Sequence, residues 1–496
     1  MDIDFQLVPS WPKLAWVGLH KRETQTLRVL HGPYLEVREN WCAEAVWNGS
    51  FADGDIDQAS VIIGTGVRAT DDGIVFVSAS DMLTRLFHQF TKDLVTVSNS
   101  LPALLAVTNS GLVAQFDYHQ AMSSLIMGES DYVRELPTTT NPVHVTYLNN
   151  LLLSSEGLEE RQKIDRTPDF RSFSDYRDFL FSVARELGAN AADKNRTWPM
   201  RTIATVSSGY DSAASAVLAR EANARSAVTM TKGRRSAWNL IDINDSGYQV
   251  ARALGLDCQE IERQRRDYPL EDAAWAGDGN VGDLILSMFD YPEPLCLLFS
   301  GFNGDHVWSV TERRGPLLRR TDTSGSRFSE CRLQLGVLNC APPFWGWRHI
   351  HQILDLSRSP EMKPWLLGRN YDRPIPRRLL EEAGVERDAF GMKKRVSSFN
   401  RMYGCPVSRN LRKDFARFLR THGQRPVPGF LDVAALCLRS IDRHLVSKLP
   451  RALRLPVGSL VSIPEPKWFF IWSNDRCRAR YEKGINDAGL AASVWN

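Results

Sequence analysis

Between residues 200 and 255 the chain repeats one pattern twice, a short apolar run followed by a segment with helical spacing. The run at 203–206 precedes a helical segment at 213–221, and the run at 227–231 precedes another at 247–254. Strands that alternate with helices in this way are typical of a parallel sheet covered by helices. The pattern therefore predicts an α/β domain with a parallel sheet in this part of the chain.

The first 150 residues follow a different pattern. Short apolar or alternating runs, such as those at 61–63, 74–77 and 94–97, are bounded by turn residues and are typical of strands. The tripeptide Asp71-Asp72-Gly73 between two such runs indicates a hairpin turn. This part of the chain is therefore predicted to be a mainly β, sandwich-like domain.

A polar segment at 158–169 separates the β-rich part from residues 176–187, whose apolar positions have helical spacing. Beyond residue 340 the chain is predicted to be helical with loops, and it closes with a Trp-rich and Arg-rich segment. We predict three parts: a β domain at 1–165, an α/β domain at 166–404 and a helical C-terminal extension of unknown role at 405–496.

Composition narrows the class of protein. The 496 residues exceed what one hydrophobic core usually supports, and 61 basic against 58 acidic residues leave a net charge of +3. This balance gives no support to nucleic-acid binding. No apolar stretch approaches the roughly 18 to 20 residues of a membrane span, and no secretory signal follows Met1. The eight cysteines are scattered, and no two of them form a CxxC pair. We therefore expect a cytoplasmic protein with reduced thiols.

The strongest local motif is TIATVSSGYDS at residues 202–212, where a buried-strand pattern turns through small residues into a helix. Small residues let backbone N–H groups face an anion, and a helix N-terminus adds partial positive charge. A carboxylate beside such a site suits magnesium, and serine hydroxyls can donate hydrogen bonds. An ordinary Ser-Gly turn is the alternative. The candidate binding residues are Ser207, Ser208, Gly209, Tyr210, Asp211 and Ser212.

This motif resembles the SGGxDS pyrophosphate loop (PP-loop) of the asparagine synthetase and β-lactam synthetase family, with Ser208 in place of the first glycine. A second segment, CLLFSGFNGDHVW at 296–308, resembles the family's SGxGxDE loop. It supplies Ser300 and Gly301 as further binding candidates and Asp305 as a second carboxylate. The resemblance implies a doubly wound parallel α/β synthetase domain.

The resemblance also implies ATP and Mg²⁺ as cofactors. Carboxylates of Asp211 and Asp305, from two strand ends, can hold magnesium that bridges the triphosphate. By position in the fold, the strand that ends at Met230 is expected to present backbone groups to adenine. The second loop differs from the family's motif at two positions, because the family has acids where this chain has Phe302 and His306. His306 is either a replacement proton acceptor or a packing residue.

A third segment, at 372–395, resembles the part of the family that carries a lysine beside the reacting groups. Lys393 is the first candidate for this catalytic residue and Lys394 the second. A solvated basic surface is the alternative, because residues 393–420 contain nine Lys or Arg and one acid, Asp414. Such a surface also suits an anionic substrate or an acidic partner.

Residues 72–77 and 97–105 resemble the latter part of the glutaminase-like (amidotransferase-like) domain that precedes the synthetase in this family. Active glutaminases of this type use an N-terminal cysteine as the nucleophile. Here residue 2 is Asp2 and the first cysteine is Cys42. We therefore predict a degenerate first domain without glutamine hydrolysis.

Three further patterns give weaker evidence for a functional site. GTGVRA at 64–69 fits a dinucleotide fingerprint, but a turn and another strand pattern follow it instead of a helix. His349 and His351 lack companions for a metal site, and the tryptophans at 343–347 are either a substrate platform or buried packing.

The sequence predicts an ATP-dependent ligase that forms AMP and pyrophosphate. It would adenylate a carboxylate of a small-molecule or peptide substrate and join it to an amine that this chain does not take from glutamine. Two alternatives stay open: a PP-loop enzyme that activates a carbonyl oxygen on a nucleobase or sugar, and an inactive scaffold on the same fold.

Overall fold

The structure is a computed structural model that describes residues 1–231, 245–262, 268, 270–311, 319–320, 322–368, 371–391, 405–426 and 464–495. These residues form a mixed α/β protein with two mainly antiparallel sheets and one parallel sheet. In this part of the chain, no helix is long and apolar enough to cross a membrane.

The two mainly antiparallel sheets use residues up to 161. Their strands are β1 (Asp2–Leu7), β2 (Trp16–Lys21), β3 (Thr26–His31), β4 (Glu36–Val37), β5 (Trp41–Trp47), β6 (Ile62–Thr70), β7 (Gly73–Val77), β8 (Leu86–Phe90), β9 (Leu94–Ser98), β10 (Glu135–Leu136), β11 (Val143–Thr146), β12 (Asn150–Ser154) and β13 (Gly157–Arg161). One sheet has the order β1-β3-β2-β9-β8-β11-β10, and the other has the order β13-β12-β7-β6-β5-β4.

An apolar core lies between these two sheets and contains side chains of both. Trp16 of β2 stacks on Phe76 of β7, with ring centroids 6.2 Å apart. The strands predicted around 61–63, 74–77 and 94–97 are confirmed as β6, β7 and β9, and Asp71-Asp72 is the turn between β6 and β7. GTGVRA lies within β6, and another strand follows it. The expectation that a strand and not a helix follows this motif is confirmed.

The third sheet is parallel, as the strand-helix alternation predicted. Its strands are β14 (Arg201–Thr205), β15 (Ser226–Met230), β16 (Asp257–Ile261), β17 (Cys296–Phe299) and β18 (Val337–Cys340). The order is β16-β15-β14-β17-β18. From β14 the chain first adds strands on one side and later returns to add strands on the other. The strand order therefore reverses between β14 and β17, as in doubly wound sheets.

Helices connect and cover the sheets. They are α1 (Leu101–Val107), α2 (Tyr118–Ser123), α3 (Phe173–Ala191), α4 (Tyr210–Glu221), α5 (Tyr248–Ala253), α6 (Glu271–Trp275), α7 (Gly304–Val307), α8 (Ser329–Leu335), α9 (Ile350–Arg358), α10 (Pro374–Glu382), α11 (Arg409–Thr421), α12 (Pro466–Asp487) and α13 (Ala491–Trp495). Short 3₁₀ turns lie at Ile56–Gln58, Ser124–Met127, Leu284–Met288, Ser326–Phe328, Pro342–Phe344, Trp347–His349 and Pro360–Trp365. The helix predicted at 176–187 is confirmed as α3, which Ser172 and Asp175 begin with a capping box.

Helix α12 belongs to the segment predicted as a C-terminal extension, and it packs deep in the protein. Trp472 and Tyr481 are buried, and the backbone carbonyl of Tyr481 accepts a hydrogen bond from the Trp11 indole at 3.0 Å. Arg480 pairs with Asp272 of α6 at 2.7 Å. This helix therefore joins the β-rich part of the chain to the helices around the parallel sheet. The three predicted domain boundaries stay predictions.

Candidate functional site

The two loops singled out in the sequence follow neighbouring strands of the parallel sheet. Strands β14 and β17 pair directly, with Ala204 beside Phe299. Residues 206–209 continue from β14, and residues 300–303 continue from β17. Both loops therefore leave the carboxyl edge of the sheet where the strand order reverses. In open α/β sheets this is where ligands bind.

The first loop is held by its own hydroxyl groups. The hydroxyl oxygens of Ser207 and Ser212 lie 2.8 Å apart in a mutual hydrogen bond. Ser212 Oγ also accepts from the Ser207 backbone N–H at 3.1 Å, and Ser207 Oγ accepts from the Gly209 N–H at 3.2 Å. These contacts fix the loop's curvature before the helix starts. The two serines are thus loop-shaping residues here, whatever further donor role they have.

Helix α4 begins directly after Gly209, which is its N-cap and offers no side-chain cap to the first N–H groups. Tyr210 is buried, and its hydroxyl accepts hydrogen bonds from the Arg377 guanidinium at 2.5 and 3.2 Å. The Tyr210 side chain is therefore a packing group, and its backbone is hydrogen-bonded to Tyr371.

The second loop lies directly against the start of α4. A Cβ on Gly301 would come within 2.3 Å of the Ser212 backbone nitrogen, and a Cβ on Gly304 would come within 2.7 Å of the Asp211 side chain. Only glycine permits this close approach. Asp305 follows Gly304 directly on α7 and is half-buried. The structure therefore brings the backbone next to Asp305 against the Asp211 carboxyl group.

Asp211 has a basic partner that the sequence motif did not reveal. Arg373, immediately before α10, donates from Nη1 to Asp211 Oδ1 at 2.8 Å. The Arg373 side chain is only 6% exposed, and that of Asp211 is 20% exposed. Burial, with the negative charge of Asp211 as the next cause, raises the pKa of the neighbouring Tyr371. The site thus contains a buried guanidinium group, a carboxyl group paired with it and a phenol that keeps its proton.

Ser208, which replaces a glycine of the resembling loop, has a specific partner. Its hydroxyl donates to Asp245 Oδ1 at 2.8 Å, and its backbone N–H donates to the Asp245 carbonyl at 3.2 Å. Asp245 is buried, just before α5. The Ser208 carbonyl accepts from the Gly391 N–H at 2.8 Å. The serine therefore ties the first loop to two other segments.

Asn303 of the second loop was also missed. It is buried with a left-handed backbone (φ 67°), a conformation that asparagine tolerates better than most residues. Within the described part of the chain, neither its side-chain oxygen nor its nitrogen has a hydrogen-bond partner. A buried amide in this state is suited to a bound polar group. The only sequence signal that could have identified this residue as a binding candidate was the position of an asparagine within the second motif.

The remaining candidates lie around the two loops. Met230 is buried at the end of β15, so its assignment near adenine stays a positional prediction. The Ser300 hydroxyl donates to Asn339 of β18 at 2.7 Å. His306 is buried on α7, which agrees with packing without excluding a proton-acceptor role. Lys393 and Lys394 lie outside the described residues.

Asp211 and Asp305 are the residues that could hold a metal ion here. Magnesium in nucleotide sites is commonly held by one or two carboxylates together with phosphate oxygens. Asp211 and Asp305 could supply two carboxylates, while the α4 N-terminus suits phosphate. Among the described residues, no group of three or more His, Cys, Asp or Glu side chains is placed to hold a metal ion.

No protein-family model matches the chain, and no curated protein matches it either. Functional assignment therefore rests on the two loops and their surroundings.

Proposed function

We propose that the chain is an ATP-dependent ligase that adenylates a substrate carboxylate, releases pyrophosphate and joins the activated carboxyl group to an amine. The carboxylate attacks the α-phosphorus of ATP and pyrophosphate leaves. The neutral amine then attacks the acyl carbon of the adenylate, AMP leaves, and the amine nitrogen loses a proton. The proposal includes the finer fold assignment, a PP-loop synthetase domain behind a degenerate amidotransferase-like domain.

One observation carries the proposal: the glycine-dependent contact between the two loops at the reversal of strand order. Gly304 approaches the Asp211 carboxyl group so closely that any side chain at 304 would displace it. Two motifs separated by about ninety residues of sequence therefore meet at one crevice. An ordinary Ser-Gly turn would need neither the second loop nor its glycines.

In the proposed site, the N-terminus of α4 holds the pyrophosphate part of ATP, because the N–H groups of Ser207, Ser208 and Gly209 already donate to protein acceptors. Ser300 and Gly301 shape the facing wall. Asp211 and Asp305 would hold magnesium, which when bound neutralises charge on the leaving pyrophosphate. The Asn303 amide supplies a further polar contact. Lys393, with Lys394 as the second choice, stabilises negative charge in the transition states. Gly391, anchored to Ser208, precedes Lys393 by two residues.

Arg373 has two roles in this proposal. It balances the charge of Asp211 before magnesium and ATP arrive, and its buried guanidinium is a suitable partner for phosphate oxygens afterwards. Metal binding would then exchange one partner of Asp211 for another. Asp211 and Arg373 would thus each have a partner of opposite charge in both states.

The β-rich part supports an amine source other than glutamine hydrolysis by this chain. Cys42 lies on β5 and is buried, and burial raises the pKa of its thiol far above the usual range. Such a thiol is a poor nucleophile, because the reactive form is the thiolate. The proposed amine donor is therefore free ammonia, a second substrate or a group on the first substrate.

The Arg373–Asp211 ion pair is also the observation that favours an inactive scaffold, since a permanent pair would exclude magnesium from Asp211. The test is pyrophosphate release from Mg-ATP with pooled carboxylates, amino acids and amino sugars. Wild type would be compared with Asp211→Ala and with Asp178→Ala, a control at an exposed position on α3. Adding RNA and nucleosides covers the nucleobase alternative.

Substrate-dependent release by wild type and Asp178→Ala, but not by a folded Asp211→Ala, is the expected result. Release that depends on a nucleobase or sugar would move the substrate assignment to the second alternative. No release, together with no ATP binding by calorimetry, would establish the scaffold and overturn the ligase.

A further inference from the structure

A partly open cavity lies away from the two loops, where the β-rich part meets the segment after β18. Ser60, just before β6, and Ser80, just after β7, line one side. Lys163 and Asp165 line it from the connection after β13, and Trp345 and Arg348 from the far side. Its volume is about 30 Å³. One water needs roughly 10–15 Å³ by this measure, so the cavity accepts about two to three water-sized groups.

Lys163 enters this cavity with little compensation for its charge. Its side chain is buried, and Nζ donates to the Ser78 carbonyl at 2.6 Å. Among the described residues, no carboxylate lies within ion-pair distance of Nζ. An ammonium group has three donors, so further donors are available for a ligand.

The two acids that favour the charged form of Lys163 have other partners, but Oδ2 of Asp81 is buried without one among the described residues. Asp81 Oδ1 accepts from the N–H groups of Leu83 and Thr84, at 2.8 and 3.1 Å, and Asp57 is paired with Arg68. Burial lowers the pKa of Lys163 to about 7 although Asp81 and Asp57 favour its charged form, and Arg348 lowers it further. The ammonium form therefore lacks a direct counter-charge.

Two other residues that line the cavity carry N–H donors. The Trp345 indole N–H is buried and has no partner among the described residues, although buried indole N–H groups usually have one. Arg348 Nε lies 3.7 Å from Asp165 Oδ2, which is longer than a strong charge-assisted hydrogen bond. The lining thus has a surplus of donors and of positive charge.

We propose that this cavity is a binding site for a small planar oxyanion, a carboxylate group or bicarbonate, held by Lys163 and Trp345 with Arg348 at its mouth. The cavity volume matches such a group. The anion supplies a counter-charge for Lys163 and an acceptor for the Trp345 indole N–H, which has no partner among the described residues. The site does not depend on the ligase activity and would be present in a scaffold.

Binding would depend on pH in a defined direction. An anion stabilises the ammonium form of Lys163, so binding takes up protons near the lysine pKa of about 7 and weakens above it. Asp81, whose pKa burial raises to about 6, and Asp57, Asp165 and Arg348 are the other charged groups around the amine. Ionisation of Asp81 above pH 6 would also disfavour an anion, in the same direction.

The test is calorimetric titration of the full chain with acetate and with bicarbonate, and with acetamide as the neutral ligand of the same shape. Lys163→Met would be compared with Lys92→Met, a matched change at an exposed lysine. We expect acetate to bind wild type and Lys92→Met alike, and Lys163→Met at least about tenfold more weakly. Acetate affinity should fall about tenfold or more between pH 6.5 and 8.5. Tighter binding of bicarbonate than acetate would name the free ion as the ligand.

A second measurement uses unaltered protein, in case Lys163→Met does not fold. Cyanate adds to neutral amines, and peptide mass mapping gives the rate at each lysine. Acetate should slow the reaction at Lys163 and not at Lys92. Equal acetate binding by Lys163→Met, acetamide binding as tight as acetate, or no protection of Lys163 would each overturn the proposal.

Discussion

The guanidinium of Arg373 lies 2.8 Å from the carboxylate of Asp211, so the segment before α10 is ionically joined to the first turn of α4. Both groups are largely removed from water, and each is the other's counter-charge. Removing one partner of such a pair leaves a desolvated charge, which costs more than the pair itself contributes. Loss of activity on changing Asp211 must therefore be separated from loss of folding.

We expect Asp211→Asn and Arg373→Gln each to lower the free energy of unfolding, and the double variant to be more stable than the sum of the two predicts. The coupling should be about 1–3 kcal/mol because the residues are in direct contact. Urea denaturation of the four proteins, without nucleotide, measures it. Additive losses would show that the ion pair does not form in solution.

Contact between the loops predicts a steric effect at Gly304. Gly304→Ala places a Cβ 2.7 Å from the Asp211 side chain and must move the two loops apart. A misplacement of about 1 Å can cost about 100-fold in rate, so we expect a loss of that size in pyrophosphate release. Steady-state assay with saturating ATP measures the change.

Gly423→Ala is the matched control. Gly423 has a φ of 68° and open space around its Cα, so alanine there strains the backbone without touching the loops. It should cost about 1–2 kcal/mol of stability and leave the rate unchanged. Equal rates for Gly304→Ala and wild type would contradict the proposed site.

Local pattern was sufficient to predict the first loop and its flanking elements. β14, α4 and β15 lie where apolar runs, small residues and helical spacing placed them, because these elements are determined by neighbours in sequence. The hairpin at Asp71-Asp72 was predictable for the same reason. The sequence identified the residues of both motifs, but it did not predict that the two loops lie in direct contact.

Long-range partners were not predictable from such patterns. Arg373 is 162 positions from Asp211, and Asp245 is 37 from Ser208, and nothing in either neighbourhood marks the pairing. Strand order was not predictable either. Alternation of strands and helices indicates a parallel sheet, but it does not show which strands are adjacent in that sheet. Helix α12 was read as part of an appendage, since its Trp and Arg residues do not show which surfaces they contact. These features depend on tertiary packing alone.

The hydrogen bond from Ser208 to Asp245 leads us to expect that glycine at position 208, as in the resembling loop, destabilises this protein. Ser208→Gly and Ser208→Ala both remove the hydroxyl that donates to the buried Asp245 carboxylate. We expect each to lower the free energy of unfolding by about 1–3 kcal/mol, because a buried acceptor then loses a partner. Chemical denaturation measures this. If Ser208→Gly is as stable as wild type, the bond to Asp245 contributes nothing.

Glu330 on α8 predicts a pH dependence of stability. Burial raises the pKa of its carboxyl group to about 7, against hydrogen bonding from Ser100 Oγ at 3.1 Å and the nearby charges of Arg85, Arg332 and Arg480. An acid with a raised pKa stays protonated in the folded state while it ionises in the unfolded state. Its contribution is thus fully present below the ordinary value of 4.5 and is lost progressively up to about pH 7.

Glu330→Gln removes this titration and keeps the shape of the side chain. Relative to the variant, wild type should lose up to about 3 kcal/mol of unfolding free energy between pH 4.5 and 7, at about 1.4 kcal/mol per pH unit. Urea denaturation of both proteins at several pH values gives the difference, in which all other titrating groups cancel. A difference that is constant with pH would mean that Glu330 ionises at its ordinary pKa, which the structure allows only if water reaches the contact between α8 and α12.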